Sequence, residues 1–122
     1  MIDRIIPQFF TTKLEETFKW YKDKLGFETD FIYGEPPSYG GMVRDGQRIF
    51  FRHQDAVRPF EADKYEAEYL DAMIEVQNID ELYKEMKERG ADMAQDLSKT
   101  EWGAMAFTVR DCDGRLLCFA EM

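Results

Sequence analysis

Apolar and polar positions change their period several times along the 122 residues, and each change marks an element. Residues 4–10, RIIPQFF, are rich in Ile and Phe and end at two threonines, which predicts a strand. Pro7 lacks a ladder donor and keeps that strand near an edge or bulge. Leu14, Phe18, Tyr21 and Leu25 then recur at i, i+4, i+7 and i+11, one face of a helix that Gly26 stops. Thr12 and Glu15 have capping-box spacing at its start. Strands are predicted over residues 27–33, 41–43 and 48–53, with the turn-rich GEPPSYGG loop at residues 34–41 and an Asp45–Gly46 hairpin between them. The polar, acidic stretch at residues 54–69 has no clean period and reads as a connecting segment with some helix.

The same succession then begins again. In residues 70–76, LDAMIEV, apolar Leu70, Ala72, Ile74 and Val76 alternate with Asp71, Met73 and Glu75, a strand with two different faces. Ile79, Leu82, Tyr83 and Met86 follow at helical spacing after Asn78 and Glu81, which sit like a second capping pair, and Gly90 ends the run. Residues 91–97 and 102–110 read as strands, and Asp113–Gly114 turns the chain into a last strand at 115–121. Strand, helix and three strands therefore occur twice, in modules of about 1–56 and 68–122 within one domain. Counted from the turn glycines Gly46 and Gly114, His53 and Glu121 fall at equivalent positions.

Composition narrows the function classes. With 44% hydrophobic and 15% aromatic residues the chain can build a core without disulfide or metal staples, which excludes intrinsic disorder. Sixteen Lys and Arg against 25 Asp and Glu give a net charge of -9, which repels phosphate backbones and anionic lipid and suits a cationic ligand. No nucleic-acid or membrane partner is expected. No apolar run approaches a membrane span, and the start lacks the layout of a secretory leader, so a cytoplasmic protein is expected. Cys112 and Cys118 form neither a disulfide framework nor a CxxC pair. Ser38 and Ser98 lack a His and Asp arrangement, no phosphate-cradling glycine loop is present, and EADKYEAE at 61–68 reads as a solvated face.

Two segments point to a family. FKWYKDKLGFE at residues 18–28 and WGAMAFTVRDCDGRLLCFAE at residues 102–121, in this order and together with the repeat, resemble the vicinal oxygen chelate superfamily. That superfamily contains glyoxalase I, extradiol dioxygenases, fosfomycin-resistance proteins and bleomycin-resistance proteins, and the closing segment is most similar to the last of these. Cys112 stands where their turn usually has Pro. The resemblance implies an α+β fold in which two βαβββ modules form a cupped mixed sheet, with helices outside, a ligand cavity inside and a homodimer as the working form. It also implies four metal-ligand points, which fall here on Ile6, His53, Asp71 and Glu121. Ile6 cannot ligate. The expectation is therefore no cofactor, the alternative being a divalent metal ion held by His53, Asp71 and Glu121 as a facial triad.

If strand alternation is phased by those points, Ile6, Gln8 and Phe10, Ile49, Phe51 and His53, Asp71, Met73 and Glu75, and Leu117, Phe119 and Glu121 face the cavity. The expected ligand-binding residues are Gln8, Phe10, Phe51, Met73, Glu75 and Phe119, with Trp102, where similar proteins stack an aromatic on the drug's heteroaromatic tail. Tyr33, Tyr39 and the loop around Pro36 and Pro37 form a candidate lid. No catalytic residue is assigned. The function expected is binding of a small cationic or aromatic ligand, with drug sequestration as its purpose; the alternative is a divalent-metal-dependent lyase or dioxygenase of the same superfamily.

Overall fold

The computed structural model describes residues 1–56 and 70–122. There the two periodic patterns become β1 (Gln8–Thr11), α1 (Leu14–Leu25), β2 (Glu28–Tyr33), β3 (Tyr39–Arg44) and β4 (Gln47–His53), then β5 (Ala72–Glu75), α2 (Ile79–Glu88), β6 (Asp92–Lys99), β7 (Met105–Arg110) and β8 (Leu116–Glu121). The chain divides into two compact units, Met1–Arg58 and Pro59–Met122, each holding one βαβββ set of the α+β fold. From residue 57 onward the expected connecting segment lies outside the described residues, as does the acidic run at 61–68.

Each unit has one four-stranded mixed sheet, ordered β1-β4-β3-β2 in the first and β5-β8-β7-β6 in the second. The first strand runs parallel to the last, and the other pairs are antiparallel. Register makes the halves superimposable on paper: Phe50 pairs with Gln8 and Gly41, and Cys118 pairs with Met73 and Thr108. Gln8 thus corresponds to Met73, Phe10 to Glu75, Phe51 to Phe119 and His53 to Glu121.

Several boundaries differ from expectation for local reasons. β1 begins after Pro7, whose carbonyl accepts the Phe50 N–H, and the four residues before Gln8 stay outside the strand. β3 reaches back to Tyr39 inside the loop expected at 34–41, and β7 starts only at Met105, leaving Trp102 in a turn.

One face of each sheet packs on its helix. α1 buries Leu14, Thr17, Phe18, Tyr21 and Leu25, and the rings of Phe18 and Tyr21 meet Phe51 edge-on at 5.7 and 5.0 Å between centroids. A fully buried aromatic or aliphatic side chain of this kind contributes about 1.5–3 kcal/mol. Gly40 in β3 lets the helix come this close, since a Cβ there would stand 2.6 Å from Phe18 Cζ. In the second unit the corresponding strand carries Phe107, which stacks on Phe119 at 5.1 Å and meets Tyr83 of α2 at 5.2 Å.

α1 does not start on its expected cap, and α2 starts on Asn78 as expected but without a side-chain bond from it. Lys13 occupies the N-cap of α1 without a side-chain bond; Thr11 Oγ1 accepts the Lys13 N–H at 3.2 Å and pairs with Thr17 Oγ1 at 2.9 Å. Asn78 occupies the N-cap of α2 in the left-handed region, φ 56°, and its side chain makes no cap either. The cap comes from β8: the Glu121 carboxylate accepts the N–H groups of Asn78 and Ile79 at 3.2 and 3.1 Å. A carboxylate is favoured at that positive helix end.

The turns between the last two strands also differ. Asp45 and Gly46 make a two-residue turn, whereas residues 111–115 fold around a buried Asp111. Its carboxylate accepts the N–H groups of Asp113 and Arg115 and pairs with the Arg115 guanidinium at 2.7 Å.

Candidate functional site

Side chains on a strand alternate sides, so the contact of Phe51 with α1 turns Phe50 and Arg52 to the face distal to the helix. There Phe31, Tyr39 and Phe50 form an edge-to-face cluster with centroids 5.1 to 5.9 Å apart. Gly41 makes the cluster possible: a Cβ at that position would stand 2.7 Å from Phe31 Cε1 and 2.9 Å from Phe50 Cδ1. The Arg52 guanidinium carbon lies 4.4 Å from the centre of the Tyr39 ring, and the Tyr39 hydroxyl donates to Gln8 Oε1 at 3.3 Å. Phe10, in register with Arg52, is 44% exposed. Farther along, Arg48 pairs with Asp30 at 2.9 Å.

The distal face of the second sheet is built from smaller groups. Ala106, Cys118 and Ala120 cluster there with Leu70 against them, and Thr108 pairs with Cys118 across the strands. Met73, 48% exposed, and the exposed Glu75 flank them on β5. Burial pushes the Cys118 thiol up from its ordinary range, with the hydrogen bond to Thr108 opposing it. Trp102 projects from a turn tied by three bonds, Thr100 N–H to the Ala104 carbonyl, Gly103 N–H to the Thr100 carbonyl and Ala104 N–H to Thr100 Oγ1. It is 55% exposed.

The expected binding residues separate into two groups. Gln8, Phe10, Met73 and Glu75 lie on distal faces and Trp102 on an exposed turn. Phe51 and Phe119 lie on the helix faces instead, 0% and 3% exposed, together with buried Ile49 and Leu117. The parallel register gives the reason: Phe51 pairs with Phe9 and Phe119 with Ile74, so β4 and β8 are one residue out of phase with the expectation. Each helix covers the larger apolar series, and Phe50 and Cys118 take the distal positions. Sequence reasoning thus missed Phe31, Phe50 and Arg52, and it treated Tyr39 only as part of a lid. Two adjacent glycines inside a strand, Gly40 and Gly41, were the available signal, because they mark close approach on both sides.

The expected metal donors are engaged elsewhere. Glu121 caps α2, the Asp71 carboxylate accepts the Leu116 N–H at 2.9 Å, and His53 Nε2 lies 3.4 Å from Asp55 Oδ1. Ile6 offers no donor atom. Among the described residues no three His, Cys, Asp or Glu side chains gather. As engaged here, the donor set of the described residues does not fit a divalent ion.

Comparison with known proteins agrees with this architecture. Residues 2–119 match the family model described as the Glyoxalase/Bleomycin resistance protein/Dioxygenase superfamily. No curated protein sequence matches. Among solved structures, a bleomycin-binding protein complexed with bleomycin is 19% identical with a TM-score of 0.78, covering 99% of both chains. A glyoxalase-related enzyme from Clostridium phytofermentans is 21% identical with a TM-score of 0.79, covering 99% of this chain and 95% of its own. TioX from a Micromonospora species is 18% identical with a TM-score of 0.77, covering 98% of each. At these identities the likeness concerns the fold.

Proposed function

Since the chain belongs to the glyoxalase/bleomycin resistance protein/dioxygenase superfamily, we propose that it binds a small aromatic molecule on the distal faces of its sheets and sequesters it. The observation that carries this reading is the cluster of Phe31, Tyr39 and Phe50, three rings held on the face that the helix leaves uncovered. Large aromatic side chains on such a face suit stacking against a flat ligand. Trp102, exposed on a braced turn, supports stacking in the second half, and the exposed Glu75 on β5 suits a cationic group there. The bound drug of one structural neighbour points the same way.

The working form in this reading is a homodimer in a reducing compartment, in keeping with the free thiols of Cys112 and Cys118. A net charge of -9 supports a small-molecule ligand over nucleic acid or anionic lipid, and no helix among the described residues is long and apolar enough to cross a membrane.

Bleomycin is the first probe. Titration into the purified protein is expected to quench Trp fluorescence saturably at submillimolar drug, and Trp102→Phe is expected to remove most of that change while leaving the Trp20 signal. An unchanged spectrum, together with unshifted amide resonances on β2, β3, β4 and β5, would overturn the reading for this ligand class.

A further inference from the structure

We propose that the distal face of the first sheet selects an aromatic anion, with the ring seated on Phe31, Tyr39 and Phe50 and the carboxylate or other oxyanion bound by Arg52 and the side-chain amide of Gln8. This deepens the proposed function by naming the class of ligand that one of its two faces takes.

The arginines among the described residues supply the first argument. Arg4, Arg44, Arg48, Arg89, Arg110 and Arg115 each pair with a carboxylate. Arg52 has no carboxylate partner among the described residues, although acidic side chains outnumber basic ones 25 to 16. It rests on the face of Tyr39 instead. A guanidinium over a ring keeps its in-plane N–H fork available, and that fork matches an oxyanion with two parallel hydrogen bonds.

Gln8 supplies the second. Its Oε1 already accepts the Tyr39 hydroxyl proton, so its remaining polar group is the NH2 donor. Gln8 is level with Phe50 and Arg52 with Phe10 and Tyr39, one step apart on the neighbouring strands β1 and β4, and both side chains touch Tyr39. The face's acidic groups lie farther along: Asp30 is held by Arg48, and Glu28 pairs with Val43, four residues along β3 from Tyr39.

The net charge of -9 does not decide against an anion. At physiological salt, fields from charges beyond about 8 Å are largely screened, so the contact with Arg52 outweighs the global repulsion. The second half makes the contrast internal, because register places Met73, Glu75 and Ala120 where the first half has Gln8, Phe10 and Arg52.

Three isosteric probes test this: naphthoate, naphthylmethanol and naphthylmethylammonium, each titrated by its own fluorescence at about 0.15 M salt. Naphthoate is expected to bind roughly tenfold more tightly than the other two, the range of a charge-assisted hydrogen bond at a partly exposed site. Arg52→Gln is expected to erase the difference without changing the alcohol's affinity, Arg52→Lys to keep part of it, and Phe50→Ala to weaken all three. Arg52 is exposed, so its variants are expected to keep the wild-type circular dichroism spectrum. Equal affinity for all three probes, or an unchanged naphthoate affinity in Arg52→Gln, overturns the anion site and leaves aromatic binding standing. Bleomycin binding with no naphthyl binding refutes this inference alone, whereas loss of both refutes the proposed function with it.

Discussion

The two halves of the chain repeat one backbone plan and fill it with different chemistry. Strand order and pairing direction coincide, and so does the register of the parallel pair, from Gln8 against Phe50 in one to Met73 against Cys118 in the other. Yet the first sheet carries rings and a cation on its distal face, and the second carries Ala106, Cys118 and Ala120. On the helix side the first half has Gly40 under Phe18 where the second has Phe107 under Tyr83. Packing is met either by a ring from the helix over a bare strand or by a ring from the strand itself. The repeat therefore dictates where side chains point, and single positions decide what each face can hold.

The largest expected difference between the halves lies in their turns. Asp111→Asn removes a charge that sits at 0% side-chain exposure beside Arg115, and unfolding by urea is expected to show a loss of about 3 kcal/mol. Asp45→Asn in the equivalent turn is expected to stay within about 0.5 kcal/mol, because Asp45 is exposed and at φ 50° sits where Asn is at ease. Equal costs at both turns would break the comparison.

The strand ends come next. Glu121→Gln weakens the cap of α2 and is expected to cost about 1 kcal/mol in thermal or urea unfolding. His53→Ala at the matching position is expected to stay within about 0.5 kcal/mol. Calorimetric titration with zinc and nickel sharpens this pair, since tight uptake abolished by both substitutions would mean that the two residues share a metal and that the cap is secondary.

The smallest effect concerns pH. Burial raises the Cys118 thiol, so the native state keeps that proton when the unfolded chain has lost it. The stabilisation is whole below the ordinary thiol range and is lost as pH climbs above about 9 toward the raised native value. Cys118→Ala is expected to flatten the alkaline limb of a stability-against-pH curve by a few tenths of a kcal/mol at about pH 10, in urea unfolding series. Phe50→Ala, its counterpart in the first half, carries no such proton and leaves the slope unchanged.

Element order, both helices, the repeat and the hairpin turns were legible because each leaves a period or a punctuating glycine. The phase of the last strand in each half was not. β4 has apolar residues at 49, 50 and 51, and β8 is apolar from Leu116 through Ala120, so alternation cannot tell which parity the helix covers. The polar residues that end these strands, His53 and Glu121, suggested one answer, but Glu121 reaches the start of α2 rather than the distal face. The group that satisfies the start of α2 was illegible although its position at Asn78 was not, because the Glu121 carboxylate lies 42 and 43 residues from the N–H groups it accepts. Cation and ring come together at Arg52 and Tyr39 only through β-pairing of the two strands.

The glycine pair in β3 has a consequence for anyone redesigning this molecule. Gly40 and Gly41 are sequence neighbours addressed to opposite surfaces, one to Phe18 and the other to Phe31 and Phe50. A methyl group added at position 40 reports on helix seating, and one added at position 41 on the ring cluster. Consecutive codons thus act as separate dials, one for the scaffold and one for recognition.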